Sequence, residues 1–168
     1  MMTTQQTELG ARWLLSGVLA TLTMDLGSAL ARRAGLTAGL PPALIGRWFA
    51  GLVQGRLAHD TILEAPPIRG ELPLALALHY SIGIALTCAF LSLLAVRPEA
   101  NPKAFLLAFA FGLFTNLLPW LVMFPSMGFG VLGLRGPSEL CLLRSSLVNH
   151  LLFGLGLGLA LLWLSPLH

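Results

Sequence analysis

The chain has 168 residues, 56% of them hydrophobic and 10% charged. A water-soluble domain carries about 25% charged residues, and apolar runs as long as these call for a bilayer rather than a soluble core. The net charge of +3 comes from ten scattered Lys and Arg with no basic run, which gives nucleic acid no footing and suits the cationic excess that orients membrane proteins.

The two cysteines, Cys88 and Cys141, show neither a CxxC nor a metal-finger spacing, so no disulfide framework is implied. The first apolar run is too long for the core of a secretory signal and lacks a small-x-small cleavage site, so it is expected to stay as a helix. One domain over residues 1–168 suits this length.

Residues 1–11 are polar and read as a frayed lead-in. A first spanning helix is expected over about residues 13–31, long enough to cross the hydrocarbon core. Gly17, Thr21, Asp25 and Ser28 recur at helical spacing and share one face. Asp25 is the exception in an otherwise apolar run, and a carboxylate at membrane depth costs at least ~2.5–3.5 kcal/mol on insertion scales.

A long connection over residues 32–71 follows. Pro41-Pro42 can open a helix, and Leu44, Ile45, Trp48, Phe49, Leu52 and Val53 then fall on one face, with Arg47, Gly51 and Gln54 on the other. At about residues 42–56 this helix is too short to span and reads as interfacial and amphipathic. Beyond it, Pro66-Pro67 and Gly70 enforce an irregular path past His59 and Asp60.

The second span is expected over residues 72–96 with His79, Gly83 and Thr87 as its small-polar stripe, and a short turn over 97–103 follows. The third, 104–124, carries Asn116 and Pro119, and the proline predicts a kink. A glycine-rich loop leads to the fourth, 139–164, which bears Arg144, Ser145, Ser146, Asn149 and His150 before GLGLG. Gly154-xxx-Gly158 permits close helix contact, either inside the bundle or with a partner. Six arginines on the two connections of one side, against three basic residues on the other, predict those connections in the cytoplasm and both termini periplasmic.

At 1.5 Å per residue, Asp25 and His79 lie about 10 Å in from the side of the long loop. Asn116 lies about 12 Å in, Arg144 about 8 Å and His150 about 16 Å by the same rise. The polar residues therefore gather in one leaflet. Arg47, His59 and Asp60 would hang over them. Asp25 and Arg144 can form an ion pair holding helices together or serve as the charged centre of a site, and charges inside spans are functional candidates by default. Asn116, Ser145, Ser146 and Asn149 also fit the role of interhelical hydrogen-bond links.

Sharper chemistries find little spacing to support them. There is no HExxH and no GxSxG. Ser146 and His150 sit four apart, with Asp25 on another helix, a loose echo of a Ser/His/Asp arrangement. His79 and His150 are the candidate ligands for haem or a metal, with no second ligand motif beside them. Cys88, about 24 Å from the loop side, and Cys141, about 3 Å from it, are too far apart in depth for a bridge.

Met24-Asp25-Leu26, Ile45-Gly46-Arg47-Trp48, Gly55-Arg56 with His59-Asp60, Pro66-Pro67, Gly70-Glu71, His79-Tyr80 with Ile82-Gly83, and Arg144-Ser145 with His150 ahead of Phe153-Gly154-Leu155-Gly156 form a pattern. It resembles the domain of unknown function 2938 family, small bacterial multi-pass inner-membrane proteins. The resemblance spans nearly the whole chain and is most specific between Gly46 and Glu71. It implies a four-span architecture in a bacterial inner membrane and transfers no activity.

The expectation is thus an all-α, integral membrane four-helix bundle with an amphipathic helix and an irregular long loop between its first two spans. A ligand-binding or proton-relay site would comprise Asp25, Arg47, His59, Asp60, His79, Asn116, Arg144, Asn149 and His150. The partners expected are the lipid bilayer, a small polar solute, ion or proton, and a second copy or another membrane protein. The residues lean toward a non-enzymatic role, with a membrane enzyme or electron-transfer subunit carrying His-ligated haem or metal, or a non-catalytic membrane partner subunit, as the alternatives.

Overall fold

The computed structural model describes residues 4–93 and 102–164, with side chains from 6 to 93 and from 103 to 164. The described elements are helical: α1 (Thr4–Arg33), α2 (Pro42–Val53), α3 (Glu71–Leu93), α4 (Pro102–Phe114), a π-helical turn (Pro119–Met123), α5 (Phe124–Ser126) and α6 (Leu142–Trp163), with single 3-10 turns at Val131–Gly133 and Ser138–Leu140. Four stretches are long and apolar enough to cross a membrane, namely Gln6–Arg33, Glu71–Leu93, Lys103–Ser126 and Ser138–Trp163. Pro42–Val53 is apolar but too short.

The first helix starts nine residues before the expected Trp13. Once a span is nucleated, each further residue adds one hydrogen bond at little cost, so the polar lead-in continues the helix instead of fraying. Its other end closes on Gly35, whose φ of +70° lets Leu36 N–H reach Ala31 O at 2.9 Å and Gly35 N–H reach Arg32 O at 3.0 Å. The same closure ends α2 before the expected residue 56. Gly55 has a φ of +84°, and Arg56 N–H bonds Gly51 O at 2.8 Å. The expected end of the second span at 96 and most of the 97–103 turn lie outside the described residues.

The α ladder of the third span is interrupted at Pro119, where the kink is expected. Pro119 has no N–H for Thr115 O, which accepts from Leu118 N–H at 3.2 Å instead. A turn at Thr115 and Asn116 follows from this; Trp120 N–H then bonds Asn116 O at 3.1 Å, and the stretch Pro119–Met123 is in π register. The fourth span opens with the 3-10 turn at Ser138–Leu140, and its α-helix begins at Leu142 rather than 139, because Cys141 is left-handed at φ +45°, ψ +45° and its carbonyl only then starts the α ladder, accepting from Ser145 N–H at 2.8 Å.

The chain divides into two compact units. One consists of Met1–Gly27, Tyr80–Phe114 and Asn149–His168, the other of Ser28–His79 and Thr115–Val148. The first is built on small residues. Its core holds Ala20, Phe90, Leu91, Ala108, Phe153, Leu157 and Leu161. A Cβ on Gly17 would meet the Ile84 backbone at 2.7 Å, and one on Gly112 would meet the Gly154 backbone at 2.5–2.7 Å. Gly154 faces the backbone of Ala108 and Phe109, and Gly158 faces the Phe105 ring. The GxxxG stripe of α6 is therefore spent on α4 within this unit.

The second unit is centred on Leu44, Ile62, Phe124, Met127, Phe129 and Leu142. Here the two connections expected on one side of the membrane bind each other. His59 N–H donates to Ser126 O and Ile62 N–H to Met127 O, both at 2.9 Å.

Because Gly112 and Gly154 meet backbone to backbone, Gly112→Val is expected to cost about 1–3 kcal/mol, the usual price of overpacking. Thermal unfolding in detergent measures it. Gly10→Ala, with nothing within 4 Å of the added Cβ, should show no loss.

Candidate functional site

The second unit holds a polar network at the junction of α2 and α3. Arg47 extends from α2 and grips the Glu71 carboxylate with both arms of its guanidinium, Nε to Oε2 and Nη2 to Oε1, each at 2.9 Å. Its third nitrogen, Nη1, donates to Ala65 O at 2.6 Å. Glu71 Oε2 also accepts from Ile68 N–H at 3.1 Å. The side chains are only 11% and 17% exposed. Hydrogen bonding to Glu71 raises the Arg47 pKa further above its usual range, against the opposing effect of burial. Gly46, next to Arg47, has no room for a Cβ against the Glu71 carbonyl.

At the next residue of α2, Trp48 Nε1 donates to Ser126 Oγ at 2.8 Å, and Ser126 Oγ donates to Leu57 O. These bonds carry the connection to His59 and Asp60. His59 lies with Nε2 3.1 Å from where a Cβ on Gly51 would stand, and Nε2 is buried without a hydrogen-bond partner among the described residues. Burial is the main reason the His59 pKa falls below its usual value; nearby Arg56 lowers it further, while Asp60 raises it. Both residues line a cavity of about 590 Å³. Gly128 on the facing loop sits so close to the His59 and Asp60 carbonyls that only glycine fits, and its φ of +88° suits glycine as well.

Deeper in this unit, Asn116 is 1% exposed and its Oδ1 accepts from Ser146 Oγ at 2.8 Å, while Nδ2 has no partner among the described residues. The turn that Pro119 forces at Asn116 is thus tied to α6. Arg144 is exposed and donates to Cys141 Sγ at 3.4 Å. His79 is half-buried on α3.

In the first unit, Asp25 is half-buried and its Oδ2 accepts from Tyr80 Oη at 3.0 Å. Asn149 and His150 are half-buried on α6 in the same unit. The nine expected site residues thus divide: Asp25, Asn149 and His150 belong to the first unit, and Arg47, His59, Asp60, His79, Asn116 and Arg144 to the second. No group of three or more His, Cys, Asp or Glu that could hold a metal occurs among the described residues.

Glu71, Tyr80 and Ser126 were not among those nine. Glu71 was findable, because an arginine on a largely apolar helix needs a carboxylate and Glu71 opens the next span. Ser126 was not, since its role depends on where two distant loops meet.

The family model described as "Protein of unknown function (DUF2938)" matches residues 14–163, nearly the entire chain. The chain belongs to the DUF2938 family. No curated protein and no solved structure matches it. The match to the DUF2938 model covers every segment that carries the resemblance, including the Arg47–Glu71 stretch.

Arg47→Lys keeps the charge and loses the two-armed grip. It is expected to lower the melting temperature in detergent by a few degrees, with exposed Arg69→Lys as the unaffected control. His59 makes a pH prediction. A histidine whose folded pKa lies below the unfolded value near 6.5 binds protons better when unfolded. Its contribution is intact above that value and is lost as pH falls toward the folded pKa. Melting temperatures taken from pH 8 to 5.5 should drop at the acid end in the native chain, and less steeply in His59→Gln.

Proposed function

We propose that this DUF2938 chain is a bacterial inner-membrane protein that binds or passes a small polar solute, ion or proton, with Asp25 as its charged centre. The observation that carries the reading is the Asp25–Tyr80 hydrogen bond, a carboxylate and a phenol on two different spans joined at 3.0 Å. Carboxylates inside spans are costly, and they recur where protons and ions are handled. A phenolic donor lowers the cost of the ionised form and offers a second group through which a proton can move. Asn149 and His150, on the α6 portion of the same unit, supply further polar and titratable groups for that role. Both termini on the periplasmic side follow from the arginine count of the connections.

The test is the full chain reconstituted in proteoliposomes with an internal pH reporter, under an imposed potential and with a panel of inorganic ions. Asp25→Asn should cut the protein-dependent signal about tenfold, which corresponds to ~1.4 kcal/mol. Tyr80→Phe should reduce it less. Equal signals from native and Asp25→Asn protein, both folded, would overturn the reading.

A further inference from the structure

The cavity beside His59 is not used by the Asp25 reading, and its lining is unusual. Asp60 and Arg135 both line it, carry opposite charges, and are exposed. Neither takes part in an ion pair among the described residues, although Arg47 and Glu71 in the same unit do. The loop is built to present them. Arg135 N–H closes back on Phe129 O at 2.8 Å, and the Arg135 stem packs 3.1 Å from where a Cβ on Gly130 would stand. Gly130 has a φ of +70°. On the other wall, the close approach of Gly128 to the His59 and Asp60 carbonyls fixes the connection that bears Asp60.

The two charges restrict what can fill the space. A simple anion would face Asp60, and a simple cation would face Arg135. A neutral solute would leave both charges facing it unmatched. A ligand with both signs, a few ångströms apart, satisfies each. A guanidinium grips a phosphate or a carboxylate with two parallel bonds, and a carboxylate suits an ammonium, so the ligand's anion is one of these two.

The position adds a third restriction. The cavity is lined by Pro125, in the last turn of the span Lys103–Ser126, and by the loop that follows it. That places it at the membrane–water boundary. Val131 and Leu134 line it as well and are 54% and 73% exposed, an apolar rim beside the charges. About 590 Å³ is within the ordinary range for small-ligand sites, about 300–1,000 Å³.

We propose that the Asp60–Arg135 cavity binds a phosphate–ammonium zwitterion of the phosphoethanolamine class, with the phosphate on Arg135 and the ammonium on Asp60. Such a group occurs as a lipid headgroup and as a free water-soluble phosphoamine. The site is separate from Asp25, so its fate and that of the proposed function can be told apart.

The experiment is calorimetric titration of the full chain in a maltoside detergent. The probes are phosphoethanolamine, monomeric dihexanoyl phosphatidylethanolamine, inorganic phosphate, ethanolamine and glycine. Binding of the short-chain lipid but not of phosphoethanolamine identifies a headgroup as the source. Comparable binding of both identifies the free compound. In either case Asp60→Asn and Arg135→Gln should each weaken binding by about tenfold, while Asp25→Asn leaves it unchanged. Both are surface changes, and unaltered melting temperatures confirm that the variants fold. The proposal is overturned if neither phosphate–ammonium probe binds, if glycine or one of the single-charge probes binds as well as they do, or if both variants bind normally.

Discussion

In the Ser28–His79 and Thr115–Val148 unit, the organising interaction is the grip of Arg47 on Glu71. It joins an amphipathic helix too short to span a membrane to the first turn of one that can. An arginine placed among apolar residues has to be matched, and Glu71 matches it with both oxygens while also accepting from Ile68 N–H. The Pro66-Pro67 segment is held in the same place because Ala65 O takes the remaining arm of the guanidinium. What reads as an irregular loop is therefore tied at both ends. Trp48 and Ser126 extend the fixation to the second connection, and from there to the backbone of His59.

The other unit is held in a different way. Several of its hydroxyls are satisfied within their own helix, as when Thr21 Oγ1 donates to Gly17 O at 2.8 Å and Thr23 Oγ1 to Leu19 O at 2.8 Å. Besides the Asp25–Tyr80 hydrogen bond, its helices are joined by close approach at small residues, where a Cβ on Gly17, Gly112 or Gly154 would collide with a neighbouring backbone. In lipid this is expected, because apolar side chains gain little by leaving one hydrocarbon for another and tight packing becomes the main attraction. The tilted Phe90–Phe111 pair, with centroids 5.1 Å apart, fills what the small residues leave open.

The four spans and the short amphipathic helix were legible because each has a signature in one stretch of chain: an apolar run, a pair of prolines, a single-sided pattern. The helix ends were less so. Gly35 and Gly55 close their helices through a positive φ, and the sequence marks them as glycines without saying which glycine will do it. Pro119 announced a disturbance in the third span, but not that Thr115 O would turn to Leu118 N–H or that a π turn would follow. The pairing of Asp25 with Tyr80 was open to sequence reasoning, since Tyr80 adjoins His79 in the second span. Helical rise fixes the depth of Arg144 but not which way its side chain points from α6.

The contact between the two connections has a consequence for how the chain is made. Leu57 O waits for the hydroxyl of Ser126, 69 residues further along. At ~5–20 residues per second, the segment around His59 leaves the ribosome roughly 3–14 seconds before its partner does. For that interval the stretch from Leu57 to Ile62 has no loop to lean on, and water or the membrane surface must satisfy its amides. The second unit, which runs on to Val148 in α6, is completed only after the third span and the start of the fourth have been made. Its assembly thus reports that insertion has reached the last pair of helices.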